Sequence, residues 1–376
     1  MNNFIYLDAA ASFLKNQSVI NAEMDFLTNH YANAGRGVCD RAACVDDLIM
    51  QTRNKVANFI NAKPEQVVFT SGATDGLNRV VHIVENILAD KKVSVAVSDI
   101  DHHSARMPWE HFVYKNGGKI VLCPLTKDFD IDYHEIPMSD VLVITAMSNV
   151  LGRAQNVQEI IKSAREKNPN VITVVDATQY VVHCEIDVKK FDCDFLVFSG
   201  HKIGADTGVG ILYVKNPDVV YPDKFGGGMI ARLNSGVQDW HFEPQPYKFE
   251  AGTLPLTQIV GLGVAVDTLV QKRPDLGLVK LAYDELSKID EVKIFTQSND
   301  AILSFIVSNM KVIDFGVLVG ANNICLRVGN MCASWIHNKL GIDGSVRVSV
   351  GPWNNEDDIK QLVAVVKNLV KKNDRH

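Results

Sequence analysis

Four short segments carry residues whose types and spacing could do chemistry together. Lys202 lies in FSGHKIGADTGVGILYV (198–214), between a polar triplet and a glycine-rich approach to a strand. Desolvating an ammonium is costly, so a lysine in such apolar company is either a surface residue or one whose charge is removed by chemistry. Condensation with an aldehyde to a Schiff base removes it. Ser199 and His201, beside it, can donate to a phosphate. Asp176 in VVDATQ (174–179) ends a β-branched run. A buried carboxylate there needs a cation or several donors. It is either a helix cap or the partner of a protonated pyridine nitrogen, which it would keep electron-withdrawing. TSGATDG (70–76) places Ala73 and Thr74 between a strand and a helix. Free N–H groups at a helix start suit a phosphate, although a tight turn capped by threonine accounts for the same residues. DHHS (101–104) sets two histidines after another strand, either at the surface or with one lying flat on an aromatic ring. In chain order these segments read as phosphate cup, ring stacker, pyridine partner and Schiff-base lysine. That set is what holding pyridoxal 5′-phosphate requires.

Residues so far apart must be gathered by one sheet. Between about 64 and 214, short β-branched runs alternate with helical patterns: QVVFTS, VSVAVSD, GKIVLCPL, DVLVITAM, NVITVVDA, CDFLVFSG and GVGILYV. Such alternation predicts a largely parallel sheet covered on both faces, with polar functional residues at the carboxyl ends of its strands. After a long helical stretch at 255–270, EVKIFTQ, ILSFIVSNM, NICLRVG and SVRVSVG alternate with helices, and an amphipathic helix closes the chain. This predicts a smaller α+β domain that also takes the first residues. The expected division is 16–264 for the large domain, with 1–15 and 265–376 forming a discontinuous small one.

Composition narrows the classes. The chain has 376 residues, 47% hydrophobic and 22% charged, enough for a large core. A net charge of −6 without a basic block argues against nucleic acid as a partner. No apolar run reaches the length of a membrane span, and the start lacks the pattern of a secretory signal. The seven cysteines are scattered without a CxxC, so neither a disulfide framework nor a metal site is expected. Most should be small buried hydrophobes, with Cys325 pointing into a strand core. A reducing cytoplasm fits that usage.

At this point the sequence resembles a family, the cysteine desulfurases of the class V aminotransferase superfamily, and within it the SUF-type group. The resemblance runs through YLDAAAS, NAGRG, FTSGATDGLN, DHHSARMPW, SNVLG, VDATQ, CDFLVFSGHK, GVGILYVK, FGGGMI, KFEAGT and RVGNMCAS. It implies fold type I of the pyridoxal-phosphate-dependent transferases: an α/β fold whose large domain has a mainly parallel seven-stranded sheet, beside the small α+β domain. By the resemblance, Lys202 matches the cofactor lysine, His102 the ring stacker, Asp176 the pyridine partner and Gln179 a donor to the ring's phenolic oxygen. Ala73, Thr74, Ser199 and His201 match phosphate contacts. Asn149 matches an asparagine on both substrate and cofactor, and Arg347 the arginine that grips the substrate carboxylate. Thr253 matches a residue reaching the other subunit's phosphate, which implies a homodimer. Cys332 matches the catalytic cysteine.

The implied activity converts L-cysteine to L-alanine, with sulfur captured as a persulfide on Cys332 and passed to an acceptor protein, as in iron–sulfur cluster biogenesis. L-Selenocysteine lyase, or another C–S lyase or epimerase of the superfamily, is the alternative. A non-catalytic scaffold would be expected to have lost the lysine, the aspartate or the arginine, and all three are present. Two departures stand out. Asn330 and Met331 precede Cys332 where the family carries histidine, and Gly35 replaces a histidine in GRG (35–37). Only 14 residues separate Cys332 from Arg347, the short spacing of the SUF-type group. Arg347 itself alternates with valines in VRVSV, a pattern open to a mere strand-edge ion pair as well.

Overall fold

The protein is described by a computed structural model covering residues 4–35, 37–88, 91–234 and 239–373. Along the chain come β1 (Ile5–Tyr6), α1 (Gln17–Asp25), α2 (Asp40–Phe59), β2 (Val67–Thr70), α3 (Ala73–Ile87), β3 (Ser94–Val97), α4 (His103–Asn116) and β4 (Lys119–Leu122). Next are β5 (Val141–Thr145), α5 (Val157–Lys167), β6 (Ile172–Asp176), α6 (Tyr180–His183), α7 (Val188–Phe191), β7 (Phe195–Ser199) and β8 (Gly210–Val214). A hairpin of β9 (Ile230–Leu233) and β10 (Trp240–Phe242) precedes α8 (Leu256–Gln271), α9 (Leu276–Leu286), β11 (Val292–Ile294), β12 (Leu303–Val307) and α10 (Val312–Gly320). The chain ends with β13 (Ile324–Cys325), β14 (Arg327–Gly329), α11 (Ser334–Leu340), β15 (Ser345–Val348) and α12 (Glu356–Asn373).

The seven-stranded sheet has the order β2-β8-β7-β6-β5-β3-β4. The pairs from β4 through β7 are parallel, and β8 runs antiparallel to both its neighbours. Helices cover both faces, so the central strands are apolar throughout and β5, β7 and β8 are buried at every position. On one face α3 and α4 seal Leu77, Val80 and Trp109 against Val95, Val143 and Val197. On the other, α2 and α8 pack over Phe69, Ile144 and Phe198. This is the α/β architecture expected from the alternating runs.

Gly210 shows why the approach to β8 must be glycine. A Cβ there would stand 2.5 Å from the Cα of Gly72 and 2.9 Å from the carbonyl oxygen of Phe198. The strand end carrying Ser199 and the start of α3 therefore close on each other across a residue with no side chain. Gly72 itself has φ of +152°, a conformation that side chains rarely adopt.

A second, four-stranded sheet of order β11-β12-β15-β14 carries its own core of Leu303, Phe305, Phe315, Val346, Val348 and Val366. Leu7 joins this core, β1 pairs with β13, and Asp8 bridges Ser349, so the first residues pack on the small domain. The helix α8 runs unbroken across residues 264 and 265, packing on α1 and α2 up to Leu269. Its continuity ties residues 265–271 to the large domain's core. Among the described residues, no helix is long and apolar enough to cross a membrane. The cysteines depart from the expectation: Cys123 and Cys193 are buried, but Cys39, Cys325 and Cys332 are exposed. In the two-residue β13, Ile324 takes the core-facing position and alternation sends Cys325 outward.

Candidate active site

Strand ends of the large sheet and the edge of the small domain enclose a cavity of about 330 Å³. Its walls bring together Ala73, Thr74, His102, Asn149, Asp176, Gln179, Ser199, His201, Lys202, Cys332 and Arg347. Thr253 is not among them. It lies exposed in a separate cavity with Gly35, Gly228 and Asp46.

Lys202 ends the turn after β7. Its Nζ donates to the carbonyls of Ala10 and Ala11, at 2.8 and 2.9 Å. Burial and the nearby Arg347 pull its pKa down to about 8, with Asp8 and Asp176 opposing. The same Ala10 carbonyl accepts from Gln179 Nε2 at 2.7 Å, leaving Gln179 Oε1 buried and unpartnered. The amide donor that the resemblance assigns to a ring oxygen is thus engaged by backbone in this structure. Asp176, 6% exposed at the end of β6, accepts from Thr178 N at 3.0 Å. The Thr178 hydroxyl, also on the cavity wall, is buried without a partner.

The first turn of α3 faces the opposite wall. Ala73 N donates to Ser199 Oγ at 2.7 Å, and Thr74 Oγ1 meets Ser104 Oγ at 2.8 Å. Burial, then Lys202 and Lys15, push His201 down to about 4, so its imidazole is neutral near pH 7. His102 caps α4: its Nδ1 accepts from Ser104 N at 3.1 Å, which assigns the proton of the neutral ring to Nε2. Burial lowers His102 as well, against the pull of Asp176. Neither half of the histidine pair is a free surface residue. His103 Nε2 lies 3.1 Å from Ser334 Oγ, and its backbone N–H donates to the Cys332 carbonyl at 2.7 Å.

Arg347 comes from the middle of β15, on the face opposite Val346 and Val348. It is 2% exposed. Its guanidinium donates to the Asn149 carbonyl at 2.9 Å and to Asp8 Oδ1 at 3.1 Å, while Nε is buried without a partner. Asn149 Nδ2 donates to the Met331 carbonyl at 2.9 Å, and its Oδ1 is unpartnered. One asparagine thus touches the arginine through its backbone and the cysteine loop through its side chain. In that loop Met331 and Cys332 both adopt left-handed backbone, with φ of +52° and +55°. Asn330 Oδ1 accepts from Cys332 N at 3.2 Å, a local bond within the loop.

The sequence reading missed Ser104, Thr178, Arg327 and the carbonyls of Ala10 and Ala11. Ser104 and Thr178 were within quoted motifs, and Arg327 stands five residues before Cys332. No side-chain pattern could have disclosed a role for the alanine carbonyls.

The residues fit pyridoxal phosphate on structural grounds. Three residues of the cavity lining carry an unpartnered buried polar atom (Gln179 Oε1, Thr178 Oγ1 and Asn149 Oδ1), and the same cavity holds a lysine, an aspartate and a helix start closed over Ser199. Comparison with known proteins gives a consistent result. The chain matches the Aminotransferase class-V family over residues 5–362. It is 30% identical to a probable cysteine desulfurase of Vibrio cholerae, over 98% of this chain and 94% of that protein. It is 32% identical to a cysteine desulfurase of Cronobacter sakazakii, over 96% and 91%. The apo structure of a cysteine desulfurase from Thermococcus onnurineus superposes with a TM-score of 0.92 at 29% identity, covering 99% of this chain and 96% of that one. The Escherichia coli cysteine desulfurase CsdA superposes with 0.88 at 28%, covering 98% and 95%.

Proposed function

The chain belongs to the class V aminotransferase family, and from that membership we propose that it is a pyridoxal-phosphate-dependent cysteine desulfurase, converting L-cysteine to L-alanine with the sulfur held on Cys332. The observation that carries this reading is the meeting of Lys202, Asp176, His102, Arg347 and Cys332 around one cavity. Ala73, Thr74, Ser199 and the neutral His201 would hold the cofactor's phosphate, and Asp176 the proton of its ring nitrogen. When bound, the cofactor supplies an electron sink that acidifies a substrate Cα–H and weakens the C–S bond.

The chain's own groups do the rest. Arg347, whose Nη atoms hold the Asn149 carbonyl and Asp8, would anchor the substrate carboxylate through its guanidinium charge and donors. Lys202, with its pKa near 8, has a sizeable neutral fraction at pH 7–8 and can take a proton from the substrate Cα. His102, whose ring hydrogen lies on Nε2, would hold and return a proton beside the reacting groups. Cys332 then forms an S–S bond to the substrate sulfur as the C–S bond breaks. The carbon takes a proton to give alanine, so one sulfur atom leaves cysteine and one arrives on Cys332. The exposure of Cys332 lets an acceptor protein reach that sulfur. The short spacing to Arg347 supports a SUF-type assignment, and exposed Thr253 in its own cavity supports a homodimer with shared sites. The exposed free thiols, which such a protein must keep reduced, support a cytoplasmic location.

The test is alanine release from L-cysteine by the protein loaded with pyridoxal phosphate, alongside Lys202→Ala. Stoichiometric alanine from the wild type and none from the variant is the expected result. Equal release by both would reject the reading.

A further inference from the structure

His103, the first residue of α4, fastens the loop that carries Cys332 at two points. Its backbone N–H donates to the Cys332 carbonyl at 2.7 Å, and its ring Nε2 accepts from the Ser334 N–H at 3.3 Å. That N–H opens α11 and has no carbonyl of its own helix to serve. Ser334 Oγ stands 3.1 Å from the same Nε2, and the ring meets Trp335 edge to face at 5.0 Å. Because Nε2 accepts from a backbone amide, the neutral ring carries its hydrogen on Nδ1. The adjacent His102 lines the active-site cavity, so one turn joins a cavity residue to the thiol's loop.

Protonation changes this set of bonds. An imidazolium has hydrogen on both nitrogens and accepts nothing. The Ser334 hydroxyl can turn and accept from it, but the Ser334 N–H is left without a partner. The added charge also meets the start of α11, where the helix dipole is positive. Burial already lowers the His103 pKa below the usual histidine value of 6.5. The other ionisable groups in this corner are engaged. Arg106 stacks on Trp335 and pairs with Asp99 and Glu110, and Lys339 reaches Asp99 at 3.5 Å. The His102 ring, 6.3 Å from that of His103, accepts from Ser104 N. His337 Nδ1 donates to the Ala333 carbonyl at 2.9 Å, and its Nε2 lies 3.0 Å from Ser345 Oγ. That hydroxyl can donate or accept, so protonation costs His337 no bond.

We propose that His103 is a positioning residue for Cys332: as neutral imidazole it holds the cysteine loop against α4, and on protonation it lets go of the Ser334 amide and the loop opens. The inference rests on the reading of Cys332 as the thiol that receives sulfur, but the clamp itself is measured without turnover.

The test is amide hydrogen exchange of the loaded enzyme, read by mass spectrometry on peptides covering 330–336 and corrected for the intrinsic pH dependence of exchange. In the wild type, protection of the Ser334 amide falls about tenfold from about pH 7.5 to about pH 5, as expected for one lost hydrogen bond. His103→Gln, whose side-chain oxygen accepts at any pH, stays protected at both values, and His103→Ala is unprotected at both. Alkylation of Cys332, taken as the ratio of wild type to His103→Gln so that the thiolate fraction cancels, rises about tenfold over the same range. A fall in protection that survives in His103→Gln would assign the change to His337 and overturn the proposal. So would flat protection in the wild type, an unchanged alkylation ratio, or His103→Ala as protected as wild type near pH 7.5. Should His103→Ala fail to fold, the wild type against His103→Gln carries the test. A protein that shows the expected exchange and alkylation pattern but forms no persulfide on Cys332 keeps the clamp and fails the proposed function.

Discussion

The two walls of the active-site cavity are built on different principles. On the large-domain wall, Ser199, Asp176, Gln179 and Ala73 are each 6% exposed or less, at ends of strands buried on both faces. Their positions follow from the packing of the whole sheet, and Gly210 leaves no room for adjustment. On the small-domain wall, Cys332 is exposed in two consecutive left-handed residues, held by single bonds from Asn149, Asn330 and His103. On the proposed reading, a cofactor that must be gripped in one geometry would sit against the rigid wall, and the thiol that must give sulfur away would sit on the wall with the fewest constraints.

The largest expected effect breaks the rigid wall at its reactive atom. Lys202→Ala should lower alanine production by about a thousandfold or more. Its melting temperature should stay close to wild type, because among the described residues the lysine's hydrogen bonds go to two carbonyls. Next, Gly210→Ala should cost about 3 kcal/mol of stability by denaturant titration, since its Cβ would overlap Gly72. It should also weaken cofactor affinity, because the start of α3 is displaced. No change in either would mean that the wall adjusts easily and that the contrast with the cysteine loop is false.

On the other wall, Asn149→Ala removes the donor to the Met331 carbonyl. Alkylation of Cys332, followed by peptide mass spectrometry, should then accelerate by roughly tenfold, the equivalent of one lost hydrogen bond. Met331→Gly should stabilise the protein by about 1 kcal/mol, because glycine takes φ of +52° without strain. A destabilised variant would show that side-chain packing outweighs the backbone at this position.

The lysine also gives a pH test. Its folded pKa of about 8 lies below the usual lysine value, so the unfolded chain binds the extra proton between those two values. Stability of the cofactor-free protein should therefore gain a rising contribution from about pH 8 to 10.5, one that Lys202→Met lacks. Below pH 8 both states are protonated and that contribution is flat.

Much of the rigid wall was legible in the sequence. Apolar β-branched runs ending in Asp176 and Ser199 mark strand ends, and strand ends are where parallel sheets place polar groups. GVGILYV read only as a glycine-rich approach to a strand, and the contact of Gly210 with Gly72 came from the fold. The other wall was legible only through its spacing. Nothing in the order Asn330, Met331, Cys332 discloses a left-handed pair, because the conformation is imposed by bonds from Asn149 and His103, far away in the chain. Glu250 in KFEAGT was equally opaque. It forms a buried two-bond pair with Arg53, at 2.8 Å for each contact, and also accepts from Phe69 N, so the motif braces β2. The outward side of Cys325 was missed because a two-residue strand is too short to show alternation.

The central claim is that the rigid wall activates the substrate and Cys332 alone receives its sulfur. Its most direct test is peptide mapping of all seven cysteines by mass spectrometry after the loaded protein has met L-cysteine without an acceptor. The account expects one added sulfur on the Cys332 peptide, matched mole for mole by alanine and absent in Lys202→Ala. Alanine formed with no sulfur on Cys332, or with the sulfur on another cysteine, would contradict it.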